Sequence, residues 1–158
     1  EGVEASSQED AKRFWKTRET ISESLSVRGH MHTSDISVPI PDMKAFLQEW
    51  EEIFKNKYSD WELFIFGHFG DGNLHVHALK PADMSEAEFL KQNHAVEKDL
   101  YSLVQKFNGS VSAEHGVGLI KKADLGYTRP PLEVELLKSL KKMFDPQGLL
   151  NPGKVIDV

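Results

Sequence analysis

Two glycine-rich segments contain the residues whose types and spacing could do chemistry. They are residues 67–75, GHFGDGNLH, and residues 112–118, SAEHGVG. Imidazole nitrogens with a carboxylate oxygen are a common ligand set for zinc and similar divalent ions, and a site with an open fourth position is catalytic. The pattern therefore predicts a metal-assisted active site built from one carboxylate and three imidazoles, those of Glu114, His68, His75 and His115.

The composition narrows the class of protein. The chain has 158 residues, of which 39% are hydrophobic and 28% charged, as in a soluble globular protein, so we expect one domain over residues 1–158. The net charge of -6 argues against nucleic acid or an acidic membrane as partner. No apolar run approaches the roughly 20 residues of a transmembrane segment. The chain has no cysteine, which fits a reducing compartment, either the cytoplasm or, in a eukaryote, the mitochondrion.

Hydrophobic periodicity predicts the elements that position these residues. Long helical patterns alternate with short apolar runs that are typical of strands. This predicts an α+β fold in which helices pack on one face of an antiparallel or mixed sheet. The predicted order is helix 7–28, strand 30–39, helix 42–57, strand 61–66, strand 73–79, helix 85–108, strand 110–113 and helix 131–144.

The glycine-rich loop joins the strands predicted over 61–66 and 73–79. A hairpin of this kind would bring His68 and His75 to the same rim, which suits two metal ligands. Alternation puts His75 and His77 on one face of the second strand, so spacing does not decide which of them binds. Asp71 is the carboxylate of the loop, but Asp-Gly is also a common turn pair, and we favour the turn.

The second segment and the first helix add three candidates. Glu114 follows a run of small residues, and a buried acid there needs a metal or an arginine opposite it. His115 beside it is a candidate general base. Arg18 is a candidate clamp for a carboxylate, although such an arginine is more often a solvated residue of a helix face. The short run 116–118, GVG, is weak evidence for a dinucleotide site because it lacks the βαβ context.

A third motif, residues 144–154 with the sequence FDPQGLLNPGK, follows the first two in order. The three motifs together resemble the C-terminal part of FAD-linked 2-hydroxy-acid dehydrogenases, a group that contains D-lactate dehydrogenase, the glycolate oxidase flavin subunit and D-2-hydroxyglutarate dehydrogenase. In that family the N-terminal half binds FAD. That half is absent here, and the chain starts at Glu1 without a methionine, so we expect a piece of a longer protein.

The resemblance implies a role for particular residues. A divalent metal, zinc by this resemblance, is expected to bind His68, His75 and Glu114. Asn73 and His115 are expected to contact the substrate, with His115 as the base that takes the hydroxyl proton. The resemblance also implies that Arg18 and Ser22 bind the substrate carboxylate and that Asn151 faces the flavin. Thr33 departs from the pattern, because many relatives carry a lysine there that helps to hold the substrate.

The expected function is oxidation of a small D-2-hydroxy acid, of the D-lactate or D-2-hydroxyglutarate type, with FAD and an electron acceptor that the sequence does not name. We expect this piece alone to be inactive, and a homodimer is left open. One alternative is a stand-alone, non-catalytic module that binds a metal or a small molecule. Another is a metallohydrolase that uses the same ligands without flavin.

Overall fold

A computed structural model of the chain describes residues 2–158. It contains five α-helices and three β-strands, with short 3-10 segments between some of them. In chain order these are α1 (Gln8–Glu19), α2 (Ile21–Ser26), β1 (Met31–Ser37), α3 (Met43–Lys57), β2 (Glu62–Phe66), β3 (Asn73–Leu79), α4 (Glu86–Lys106) and α5 (Pro131–Phe144). The α+β prediction is confirmed. It left open whether the sheet is antiparallel or mixed, and the pairing of the strands decides this.

The three strands form one antiparallel sheet in the order β1-β3-β2. Strand β3 lies in the centre, and the Gly-rich loop before it makes a hairpin with β2. In this register His75 of β3 lies opposite Asp35 of β1 and opposite Phe66 of β2. Directly opposed side chains of an antiparallel pair share a face, so these three residues lie on the same side of the sheet.

The other side of the sheet is the core. Helices α3 and α4 pack there, because each presents an apolar stripe at helical spacing. The alternation predicted for 73–79 is confirmed on this side, where the apolar residues of β3 are fully buried. The centre of the core comprises Leu74, Val76, Ala78, Ile36, Phe46, Trp50, Val96 and Leu100.

The helix signals of the sequence are confirmed at two ends. Ser85 caps α4, since its hydroxyl accepts the backbone N–H of Glu88. Helix α5 begins at Pro131, whose missing N–H is not needed in a first turn, and ends before Asp145. Within residues 2–158 none of the helices combines the length and the apolar character that crossing a membrane requires.

Two predicted elements differ from the structure. The first helix is two helices, because the hydroxyl of Thr20 donates to the carbonyls of Lys16 and Thr17 and ends α1 there. The strand predicted over 110–113 is wrong: it is reduced to a single bridge between Ser110 and Ser37. The next backbone N–H groups turn away from the sheet edge towards side-chain oxygens, beginning with the Ser110 hydroxyl, which accepts the N–H of Ser112.

The bridge is a junction at which two segments of the backbone approach closely, and Gly109 is the residue that permits this approach. A Cβ at position 109 would lie 2.2 Å from the carbonyl oxygen of Ser37, which accepts the N–H of Ser110. We expect Gly109→Ala to lower the free energy of unfolding by about 1–3 kcal/mol, as overpacking does. Urea unfolding followed by circular dichroism measures this. Gly126→Ala is the control, because a Cβ there meets no atom within 4 Å. Equal loss in both variants would contradict the role of the junction.

Candidate active site

The carboxylate of Asp35 organises the polar side of the sheet. It is 3% exposed, and its Oδ2 accepts the backbone N–H groups of Ala113, Glu114 and His115 at 3.1, 2.9 and 2.9 Å. Its Oδ1 accepts the amide of Asn73 at 2.7 Å. Burial would raise the pKa of Asp35, but the N–H groups of His115 and Glu114 and the Asn73 amide outweigh it and hold the pKa below its usual value.

These hydrogen bonds place the segment after Ser112 against strand β1. Three consecutive N–H groups that converge on one oxygen bend the backbone around it, as in an anion-binding nest. The side chains of Glu114 and His115 then project over the sheet beside His75. The separation along the chain is large, so Asp35 joins two distant parts of the sequence at this point.

The imidazole of His75 lies between two carboxylates. Its Nδ1 is 3.7 Å from Asp35 Oδ1 and its Nε2 is 3.2 Å from Glu114 Oε1. Burial lowers the pKa of His75, while Asp35 and Glu114 act in the opposite direction and less strongly. A lowered pKa favours the neutral ring, which is the form that binds a metal.

His115 stacks on His75, with ring centroids 5.5 Å apart and an interplanar angle of 14°. Its Nδ1 is 3.8 Å from Asp35 Oδ2 and its Nε2 is 3.6 Å from Glu114 Oε1. Its side chain is 64% exposed, against 10% for His75. His115 is therefore the more accessible imidazole of the pair.

His68 and Arg18 lie at the rim of the same site. The His68 ring stands edge-on to His75 with centroids 5.9 Å apart, so the hairpin brings these two histidines together as its spacing predicts. One guanidinium nitrogen of Arg18 lies 3.2 Å from His68 Nε2, and the guanidinium covers the ring of Phe66 at 5.4 Å. Phe66 and His68 thus hold Arg18 over the polar face of the sheet.

A cleft of about 510 Å³ opens over this face. Its size suits a small organic ligand. Cationic, hydroxyl and imidazole groups alternate around it, and Glu97 and Tyr101 of α4 close one side. Its walls also include Arg18, Ser22, Thr33, His75, His77, His115 and Lys121.

Of three further residues named from the sequence, Asn73 and His77 lie beside this centre, and Asn151 does not line the cleft. Asn73 is 5% exposed, donates to Asp35, and has an Oδ1 without a hydrogen-bond partner among the described residues. Its predicted contact with substrate stays a prediction. His77 lines the cleft, 4.9 Å from the Phe66 ring, and burial, with His75, lowers its pKa. Asn151 is exposed in the closing turn with a left-handed φ of 46°.

The donor set fits a divalent metal. One ligand atom from each of Asp35, His75, Glu114 and His115 can be chosen so that all lie within 4.8 Å of one another. Nitrogen and oxygen donors of this kind suit zinc. Both oxygens of Asp35 already accept hydrogen bonds, so Asp35 serves as the support of the cluster. The group includes His75 and Glu114, two of the three predicted ligands. The third, His68, is not among these four residues, and its Nε2 lies beside the guanidinium of Arg18.

Sequence reasoning missed two residues of this site, Asp35 and Lys121. Asp35 stands in strand β1 among other polar residues, so no local pattern singles it out, and its partners follow only from the register with β3 and from the contacts of residues 113–115. Lys121 is a charged residue inside a cleft, and its sequence neighbourhood resembles any solvated turn. Its contacts are described below.

The fold and the cleft define an α+β domain whose polar sheet face carries a histidine–carboxylate cluster. Residues 1–155 match the family described as FAD linked oxidases, C-terminal domain, and the chain belongs to this family. The resemblance seen in the three motifs is therefore confirmed.

The chain is similar to D-2-hydroxyglutarate dehydrogenases of several organisms. It is 45% identical to that of Stutzerimonas stutzeri over 98% of this chain and 33% of the relative. It is 43% identical to that of Xanthomonas citri pv. viticola over 99% of this chain and 33% of the relative. It is 35% identical to the mitochondrial protein of Arabidopsis thaliana over 99% of this chain and 26% of the relative. The chain thus spans about a third of the length of the curated relatives it matches.

The role of Asp35 as support of the site has a direct test. Asp35→Asn keeps the shape but replaces an acceptor oxygen with an NH₂ group, which leaves buried N–H groups unpaired. We expect the free energy of unfolding to fall by about 1–3 kcal/mol. Asp71→Asn, in the exposed loop, is the control and should change it by about 0.5 kcal/mol or less. Both values come from urea unfolding. If the Asp35→Asn variant is as stable as the wild type, Asp35 is not the support of the site.

Proposed function

We propose that the chain is the substrate- and metal-binding part of a flavin-dependent dehydrogenase that oxidises a D-2-hydroxy acid to the 2-oxo acid. The observation that carries this proposal is the convergence of His75, Glu114 and His115 in a cleft that Arg18 overhangs, in a chain of the FAD linked oxidase family. Of the D-lactate and D-2-hydroxyglutarate types, the names of the relatives favour the second.

The metal is proposed to bind His68, His75 and Glu114. His75 and Glu114 face each other at 3.2 Å, and the adjacent His68 ring supplies the third nitrogen. The Asp35 carboxylate lies 3.7 Å from Nδ1 of His75, while Nε2 is on the Glu114 side, and a carboxylate near the second nitrogen strengthens an imidazole ligand. A bound divalent ion would supply Lewis acidity, which lowers the pKa of a substrate hydroxyl.

Arg18 and Ser22 are proposed to hold the substrate carboxylate. They are four residues apart across the junction of α1 and α2, and both line the cleft. The guanidinium offers several N–H donors in a planar fork that matches a carboxylate. Because the carboxylate is present before and during reaction, this pair contributes chiefly to substrate binding. Thr33 on the cleft wall adds a hydroxyl donor.

His115 is proposed to be the base. Its Nδ1 lies near Asp35, which leaves Nε2, on the Glu114 side, to take the proton of the substrate hydroxyl. Asp35 would then stabilise the imidazolium that forms, in the way that a buried carboxylate supports a catalytic histidine. The exposure of His115 allows the proton to leave to solvent between turnovers.

The hydrogen on the oxidised carbon needs an acceptor, and FAD would supply hydride chemistry that no side chain of this chain provides. Asn151 is proposed to face the flavin. The closing segment that carries it contacts Gly118, a residue of the cleft wall, whose carbonyl accepts the N–H of Val155 at 2.7 Å. The proposed location of the full protein is the cytoplasm or, in a eukaryote, the mitochondrion.

Metal content tests the proposed ligands. The chain purified without chelator should hold about one divalent ion, and the double variant His68→Ala/His75→Ala should hold almost none, because two of three ligands are gone. Elemental analysis measures this. The matched control is His30→Ala/His94→Ala, which removes two imidazoles whose side chains are 64% and 82% exposed. Equal metal in both double variants would rule out the assignment.

The base is tested in a protein that joins this chain to a flavin-binding region. His115→Asn should lower kcat by about 10²–10⁴-fold, the usual contribution of positioned proton transfer, and should keep its metal. Glu114→Ala should lose metal and activity together. Steady-state kinetics and elemental analysis on the same preparations separate the two neighbours. If His115→Asn loses its metal and regains full turnover in metal-supplemented buffer, His115 is a ligand instead.

A further inference from the structure

Lys121 holds the two ends of the segment that carries Glu114 and His115. Its Nζ donates to the carbonyl oxygen of Val111 and to that of Asp35, both at 2.8 Å. Val111 stands directly before residues 112–121, which we name the site loop, and Lys121 is its last residue. The ammonium therefore ties the start and the end of the site loop to strand β1.

The two contacts with Asp35 are complementary. The side-chain carboxylate of Asp35 binds the middle of the site loop at the N–H groups of residues 113–115, and its backbone carbonyl binds the end through Lys121. Between these points the loop contains Gly116 and Gly118 with φ of 77° and 53°, conformations that glycine adopts without cost. A glycine-containing loop stays in one conformation only if its ends are held.

Three carboxylates, those of Asp35, Glu97 and Asp124, act on the half-buried ammonium of Lys121. Burial lowers the pKa of Lys121, and these carboxylates act in the opposite direction and less strongly. Hydrogen bonds from a charged donor to a carbonyl are stronger than those between neutral groups. The side chain of its neighbour Lys122 donates to the carbonyl of Gly153 and to the carboxylate of Asp157 in the closing segment, and within the described residues it makes no hydrogen bond with the site loop.

We propose that Lys121 is a positioning residue of the metal centre, a clasp that sets the distance between Glu114 on the site loop and His75 on β3. This inference rests on the proposed metal-binding function. It predicts that loss of the clasp weakens metal binding although Lys121 is not a ligand. Removal of groups that orient ligands typically costs 10–100-fold in metal affinity.

The test is Co²⁺ titration of the metal-free 158-residue chain, followed by its visible absorption spectrum and by competition with Zn²⁺. Lys121→Met keeps the length of the side chain and removes the donors, and Lys122→Met is the matched control. We expect Lys121→Met to bind Co²⁺ about 10–100-fold more weakly, with an altered spectrum. Lys122→Met should match the wild type in both. If circular dichroism shows that Lys121→Met is unfolded, Lys121→Gln, which keeps a neutral donor, takes its place.

The outcomes separate this inference from the proposed function. A wild-type chain that binds neither ion contradicts the metal centre, and the clasp with it. A wild-type chain that binds Co²⁺, with a folded Lys121 variant of equal affinity and unchanged spectrum, contradicts the clasp alone. A Lys121 variant that only melts at a lower temperature also contradicts it, since a merely structural role would leave affinity and spectrum unchanged.

Discussion

The carboxylate of Asp35 is buried to 3% exposure and accepts hydrogen bonds from three successive backbone N–H groups and from Asn73. A buried charge without such donors costs several kcal/mol, so strand and loop depend on each other. The loop cannot move away without leaving the carboxylate unpaired, and the carboxylate cannot be buried without the loop. The placement of Glu114 and His115 relative to His75 depends on this constraint.

The central strand serves the fold and the site at once, because its residues alternate between faces. Leu74 and Val76 are fully buried against α3 and α4, which makes β3 a rigid base. His75 and His77 stand on the opposite face, over which the cleft opens. A side chain that projects from a packed strand loses little further conformational freedom on binding a ligand, whereas the side chains on the site loop need the supports described above.

Much of the fold follows from local pattern, whereas the site depends on pairing. The strand at 73–79, its two faces, and the helix at 131–144 were predictable because alternation and helical spacing are visible within one element. The role of Asp35 was not predictable from local pattern, because this role arises from the strand register that places Asp35 opposite His75. The strand predicted over 110–113 failed for the same reason: its N–H groups bond to oxygens of side chains, which periodicity does not report.

The most direct measurement of the central claim is anomalous diffraction from crystals of the chain loaded with Zn²⁺. The account predicts a zinc peak about 2.0–2.2 Å from an imidazole nitrogen of His75 and a carboxylate oxygen of Glu114. It also predicts that Asp35 still accepts the N–H groups of residues 113–115. A zinc ion bound elsewhere, or one that Asp35 ligates after releasing the loop, would contradict the account.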